Sequence, residues 1–203
     1  MHEYNILEKG KPIHQASKAI ILLHGRGGSA HDIIALADEF CDESFYIAAP
    51  QASNHTWYPY SFLAPANQNE PWLSSAIAIV NQLIDETAKE IGIEQVYLMG
   101  FSQGACLTLE VAARNAKPFA GVVAFTGGLI GDSLIVSNYK GNFGGSKIFI
   151  GNSNIDPHVP LARSEESKII LEQLGADVTL KVYPNMPHTI IADEINTVKS
   201  LMF

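Results

Sequence analysis

Val96-Tyr97-Leu98-Met99-Gly100-Phe101-Ser102-Gln103-Gly104-Ala105-Cys106-Leu107 is the stretch on which the fold turns. Its first four residues form an apolar run of the kind found in a strand covered on both faces. Residues from Ala105 onward open a helical pattern. Between the two lies Gly-Phe-Ser-Gln-Gly, a GxSxG segment that is weak evidence alone but gains weight from its strand-turn-helix setting. A serine at so sharp a turn needs small flanking residues, so that strand and helix can approach. The N-terminus of the following helix directs unpaired N–H groups and positive dipole potential toward that turn.

The pattern around this segment extends it into a fold class. Ala19–Leu23, Phe45–Ala49 (stopped by Pro50), Gly121–Phe125, Lys147–Ile150 and Val178–Tyr183 read as further strands. Between them, Ser74 to Ile91 is amphipathic, with Ile77, Val80, Ile84 and Ile91 on one face, an Asp85–Lys89 pair on another, and Gly92 as terminator. Arg163 to Leu174 is a second helix, ended by Gly175. A third carries Ile191, Ile195, Val198 and Met202. Strand-helix alternation predicts an α/β fold with a mainly parallel central sheet and helices on both faces, as one domain over residues 1–203. Residues 51–71 break the alternation with prolines, asparagines and aromatics. A loop this long in a compact domain is usually functional.

Composition narrows the function classes. The chain has 203 residues, 47% hydrophobic and 17% charged, an ordinary globular balance. Its formal net charge of −8 opposes binding to nucleic acid and to anionic membranes. Lys9 and Lys11 read as a solvated pair in an N-terminal turn. Two cysteines, Cys41 and Cys106, give no disulfide framework and no metal spacing, and Cys106 reads as buried packing. No apolar run reaches membrane-spanning length and no signal peptide is legible, so a cytoplasmic location is the expectation.

If Ser102 is a nucleophile, it needs a base and an orienting acid. His188, in a loop between the last strand and the last helix, is placed to reach over the C-terminal edge of the sheet. Asp156, in the loop after the preceding strand and fixed by Pro157 and Pro160, is the acid. The order Ser102, Asp156, His188 is the order of the α/β-hydrolases. Two oxyanion donors are expected, the backbone N–H of Gln103 and that of Arg26 in His24-Gly25-Arg26-Gly27-Gly28. His24 reads as a structural hydrogen-bonding residue. The Arg26 side chain is open between contact with an anionic substrate and solvent. Trp57, Tyr58 and Phe62 are candidates for lining the substrate pocket, the other reading being a cluster that pins the loop.

The segments Leu22 to Gly28, Gly100 to Gly104, Asp156-Pro157-His158-Val159-Pro160 and Met186-Pro187-His188 together resemble the phospholipase/carboxylesterase family of α/β-hydrolases, which includes the acyl-protein thioesterases. The resemblance implies a serine carboxylesterase acting on small or medium esters without cofactor or metal, with Ser102, Asp156 and His188 as triad. Its thioesterase branch usually reads His-Gly-Leu-Gly-Asp where this chain has Arg26 followed by two glycines. The segment Thr56 to Phe62 looks more like bacterial esterases of the same group. Both differences point away from long-chain acyl proteins. An acyl thioesterase or lysophospholipase is the alternative, and a non-catalytic binding protein on the same fold the more distant one. The expected partner is a small-molecule ester, with room for a homodimer.

Overall fold

In the computed structural model, which describes residues 1–203, seven strands form one sheet in the order β1-β3-β2-β4-β5-β6-β7. They are β1 (Ile6–Gly10), β2 (Lys18–Leu23), β3 (Phe45–Pro50), β4 (Val96–Phe101), β5 (Gly121–Phe125), β6 (Lys147–Ser153) and β7 (Asp177–Tyr183). All neighbours are parallel except β1, which pairs antiparallel with β3. The six expected strands are present. β1 was not foreseen, and it changes the account of Lys9: the residue lies in this edge strand and its ammonium pairs with Asp38.

Side-chain alternation along the strands divides the core between two faces. Ala19, Ile21, Val96, Leu98, Val122 and Ile148 point to one side. There they meet α2 (Trp72–Ile91), α3 (Gln103–Arg114) and α4 (Leu161–Gln173). Ile20, Leu22, Met99, Val123, Phe125 and Phe149 point to the other, against α1 (Ala30–Ile34) and α5 (Ala192–Met202). In α2, Leu73, Ala76, Val80, Leu83, Ile84 and Thr87 are buried at helical spacing, and Gly92 ends the helix at φ 95°. The expected Asp85–Lys89 pair does not form. Asp85 instead reaches Lys117 at 2.7 Å, because a charge on an adjoining segment offers it a partner. No helix is long and apolar enough to cross a membrane.

The strand order places the site. The chain runs outward from β2 to β3, then returns to the opposite side of β2 as β4. Loops following β2 and β4 therefore diverge at a topological switch point, where open α/β sheets leave a crevice beyond the carboxyl ends of the strands. His24 to Gly28 and Ser102 are the residues at those two ends.

Candidate active site

Ser102 stands alone between β4 and α3 at φ 55°, ψ −118°, a conformation that L-residues rarely adopt. The strain is held by hydrogen bonds on both sides: Ser102 N–H donates to Phe125 O at 3.0 Å, and Cys106 N–H donates to Ser102 O at 3.0 Å. The flanking glycines are steric requirements of the turn. A Cβ at Gly100 would strike the Gly104 backbone and sit 2.6 Å from Thr108 Oγ1, and one at Gly104 would run into the carbonyls of Leu23 and His24.

Ser102 Oγ lies 2.8 Å from His188 Nε2, and His188 Nδ1 lies 2.7 Å from Asp156 Oδ2. Three loops from three strand ends thus converge on one hydrogen-bonded chain. The Asp156 side chain is fully buried and that of His188 about 20% exposed. Burial by itself would raise the Asp156 pKa. Hydrogen bonds from His188 and from the Val159 and His158 N–H groups, both 2.8 Å from Oδ1, outweigh it and hold the carboxyl below its ordinary range. An ionised Asp156 can only accept, so Nδ1 carries the proton, and Nε2 of the neutral ring is left to accept from the Ser102 hydroxyl. A hydroxyl so placed can be deprotonated as it attacks an electrophilic carbon.

Both expected oxyanion donors have free N–H groups. Gly27 N–H is bonded to His55 O at 2.7 Å and Gly28 N–H to Gly25 O at 3.1 Å, whereas that of Arg26 has no partner. The N–H of Gln103, first residue of α3, precedes any intrahelical acceptor. His24 has the structural role expected of it. Its Nδ1–H donates to Gly25 O at 2.8 Å, its Nε2 accepts from Ala52 N–H at 3.1 Å, and burial holds its pKa below the ordinary imidazole value.

The aromatic loop divides the three pocket candidates. Tyr58 and Phe62 line a cavity of about 360 Å³ onto which Ser102 and His188 open. Trp57 does not. It is fully buried behind the wall, with its Nε1–H on His24 O at 2.8 Å, and so belongs to the cluster that pins the loop. Cys106 packs at the inner end of the cavity, where burial pushes its thiol up to about 12, so it stays protonated at neutral pH.

Three features escaped the reading of the sequence. The Gln103 side chain fastens the aromatic loop to the serine turn: Oε1 accepts from Trp57 N–H at 3.0 Å and Nε2–H donates to Tyr58 O at 2.9 Å. The Arg26 guanidinium is turned neither to solvent alone nor to an acid. It donates to Thr56 Oγ1 at 2.9 Å, Pro59 O at 3.0 Å and Tyr60 O at 2.7 Å. His158 stands edge-on to His188, with ring centroids 4.8 Å apart, and also lines the cavity. Its place two residues after Asp156 was the available signal, since a loop that wraps N–H groups around a carboxylate carries the next side chains to the same spot. No group of His, Cys, Asp or Glu is disposed to hold a metal ion.

The likeness to known proteins runs the length of the chain. The family described as Phospholipase/Carboxylesterase matches residues 4–202. The crystal structure of a phospholipase/carboxylesterase from Dyadobacter fermentans superposes with a TM-score of 0.97 at 50% identity, covering 99% of this chain and 97% of that one. A probable carboxylesterase, SOBER1-like, of Arabidopsis thaliana is 29% identical over 68% of the chain, and acyl-protein thioesterase 1 of Saccharomyces cerevisiae is 26% identical over 66%. The matches span 53% and 60% of the lengths of those two relatives.

Proposed function

The chain belongs to the phospholipase/carboxylesterase family of hydrolases, and from that premise we propose that it is a serine carboxylesterase for small or medium esters, with Ser102 as nucleophile, His188 as general base and Asp156 as the orienting acid. The observation that carries the reading is the unbroken Ser102–His188–Asp156 hydrogen-bonded chain at 2.8 and 2.7 Å.

As Ser102 Oγ bonds to the ester carbonyl carbon, its proton passes to His188 Nε2, and Asp156 stabilises the imidazolium. The carbonyl oxygen becomes an oxyanion held by the N–H groups of Gln103 and Arg26. Collapse of this intermediate breaks the ester C–O bond, and His188 returns the proton to the leaving alcohol. Water then attacks the acyl-enzyme by the same route, releasing the carboxylic acid and restoring Ser102. The cavity of about 360 Å³ supports short or medium substrate groups over a long acyl chain.

Replacing Ser102 by Ala tests the reading. Hydrolysis of a short-chain aryl ester should fall by roughly 10⁵–10⁶-fold in kcat while circular dichroism stays that of the parent. Substantial activity in Ser102→Ala would exclude the assignment.

A further inference from the structure

The cavity wall carries one fixed cation, Arg26, and two imidazoles, those of His158 and His188. No Asp or Glu lines it, although the chain as a whole carries −8. Asp156 lies behind His188, fully buried, with both oxygens occupied by N–H donors. Arg26 is also the only one of the three arginines without a carboxylate partner, since Arg114 pairs with Glu110 and Arg163 with Glu166. Its three hydrogen bonds go to a neutral hydroxyl and two carbonyls, so they fix the guanidinium in place without neutralising it. Of its five N–H groups, two stay uncommitted.

A cation held rigid on the rim of a cleft is preorganised for an anion, because no side-chain entropy is lost when the ligand arrives. His158 adds an exposed ring N–H donor beside His188, and Ser61 contributes a hydroxyl to the same wall. We propose that the preferred substrates are esters carrying a carboxylate, half-esters of dicarboxylic acids, whose free carboxylate is received by Arg26 with His158 as a second donor. The proposal rests on the esterase reading above and names the substrate class of that site. The overall negative charge of the protein makes the selectivity local: anions are repelled elsewhere and admitted where Arg26 stands.

The test compares two 4-nitrophenyl esters of adipic acid, one with a free terminal carboxylate and one with that carboxylate capped as the methyl ester. The two are close in length and differ in charge. With spontaneous hydrolysis subtracted, kcat/KM for the anionic ester should exceed that for the neutral one by about tenfold, roughly the effect of one well-placed charge pair. In Arg26→Gln the ratio should fall to near one, in Arg26→Lys it should be largely kept, and in His158→Gln it should fall partway. Because each ratio is taken within one variant, a general loss of activity from a loosened loop cancels. High salt should lower the parent's ratio, as screening requires. Equal or faster turnover of the neutral ester, or a ratio unchanged in Arg26→Gln, overturns the proposal while leaving the esterase reading in place. No turnover of either ester by the parent overturns both.

Discussion

Asp156 shows how much one side chain decides. Its carboxylate accepts three N–H groups, one from the His188 ring and two from its own loop, so the same atoms that fix the loop also fix the imidazole tautomer. Asparagine would match the shape and lose the logic. Its carbonyl would keep the two backbone donors and turn its NH₂ toward His188 Nδ1, which then accepts. The ring proton would move to Nε2, where it cannot receive one from Ser102. On the proposed mechanism Asp156→Asn should therefore fold normally and lose ~10³–10⁴-fold in kcat, as tautomer reversal does in Ser-His-Asp triads. A loss under about tenfold, measured at saturating ester, would mean that Asp156 does not set the tautomer. The depressed pKa also has a stability consequence. The carboxylate's contribution is full above the ordinary carboxyl range and is lost only as pH falls through its lowered folded value. Neutral and mildly acid conditions thus leave this part of the site intact.

Among the elements, α5 has the most unusual start. Glu194 is fully buried, and its Oε2 accepts from Ile191 N–H at 3.0 Å, closing the helix that follows the His188 loop. Its Oε1 has no partner and presses on β6, where a Cβ at Gly151 would collide with it. Burial raises the carboxyl to about 7, helped by Asp193 and opposed by the Ile191 hydrogen bond and Lys181. A raised acid pKa means that the folded state holds a proton the unfolded state has released. Stability therefore falls as pH rises from the ordinary 4.5 to about 7 and stays low above it. Glu194→Gln removes that titration. Relative to the parent, the variant should gain up to about 3 kcal/mol between pH 4.5 and 8, read from urea unfolding. A pH-independent difference between the two proteins would contradict it. Elements differ equally in how well they could be read. β2, β4 and β5, buried on both faces, announce themselves as apolar runs. β1 does not: Ile6-Leu7-Glu8-Lys9-Gly10 is a half-exposed edge strand, and charged residues there are compatible with an edge but carry no period. Residues 51–71 declared themselves important through composition, while their path depends on side-chain bonds from Arg26, Gln103 and Asn69 that no local pattern encodes.

At the scale of the whole molecule, the sheet serves as a frame that brings distant loops together. Ser102 and His188 are 86 residues apart in sequence and 2.8 Å apart in space, because β4, β6 and β7 all point their carboxyl ends at the same edge. That convergence was legible, since parallel strands joined by helices must present alternate loops on one side. The candidates for the triad and for the oxyanion hole needed only their place after a strand. What lay beyond the sequence depends on the third dimension: that Trp57 lies behind the wall while Tyr58 forms it, and that Arg26 grips the aromatic loop. Such assignments turn on which face of an irregular segment meets the core. Whether this frame activates Ser102 can be read by treating the purified protein with a fluorophosphonate ester and mapping the adduct by mass spectrometry. One phosphonyl group per chain is expected, on Ser102, with labelling slowed severely in His188→Gln. An unlabelled protein, or an adduct on any other residue, would contradict it.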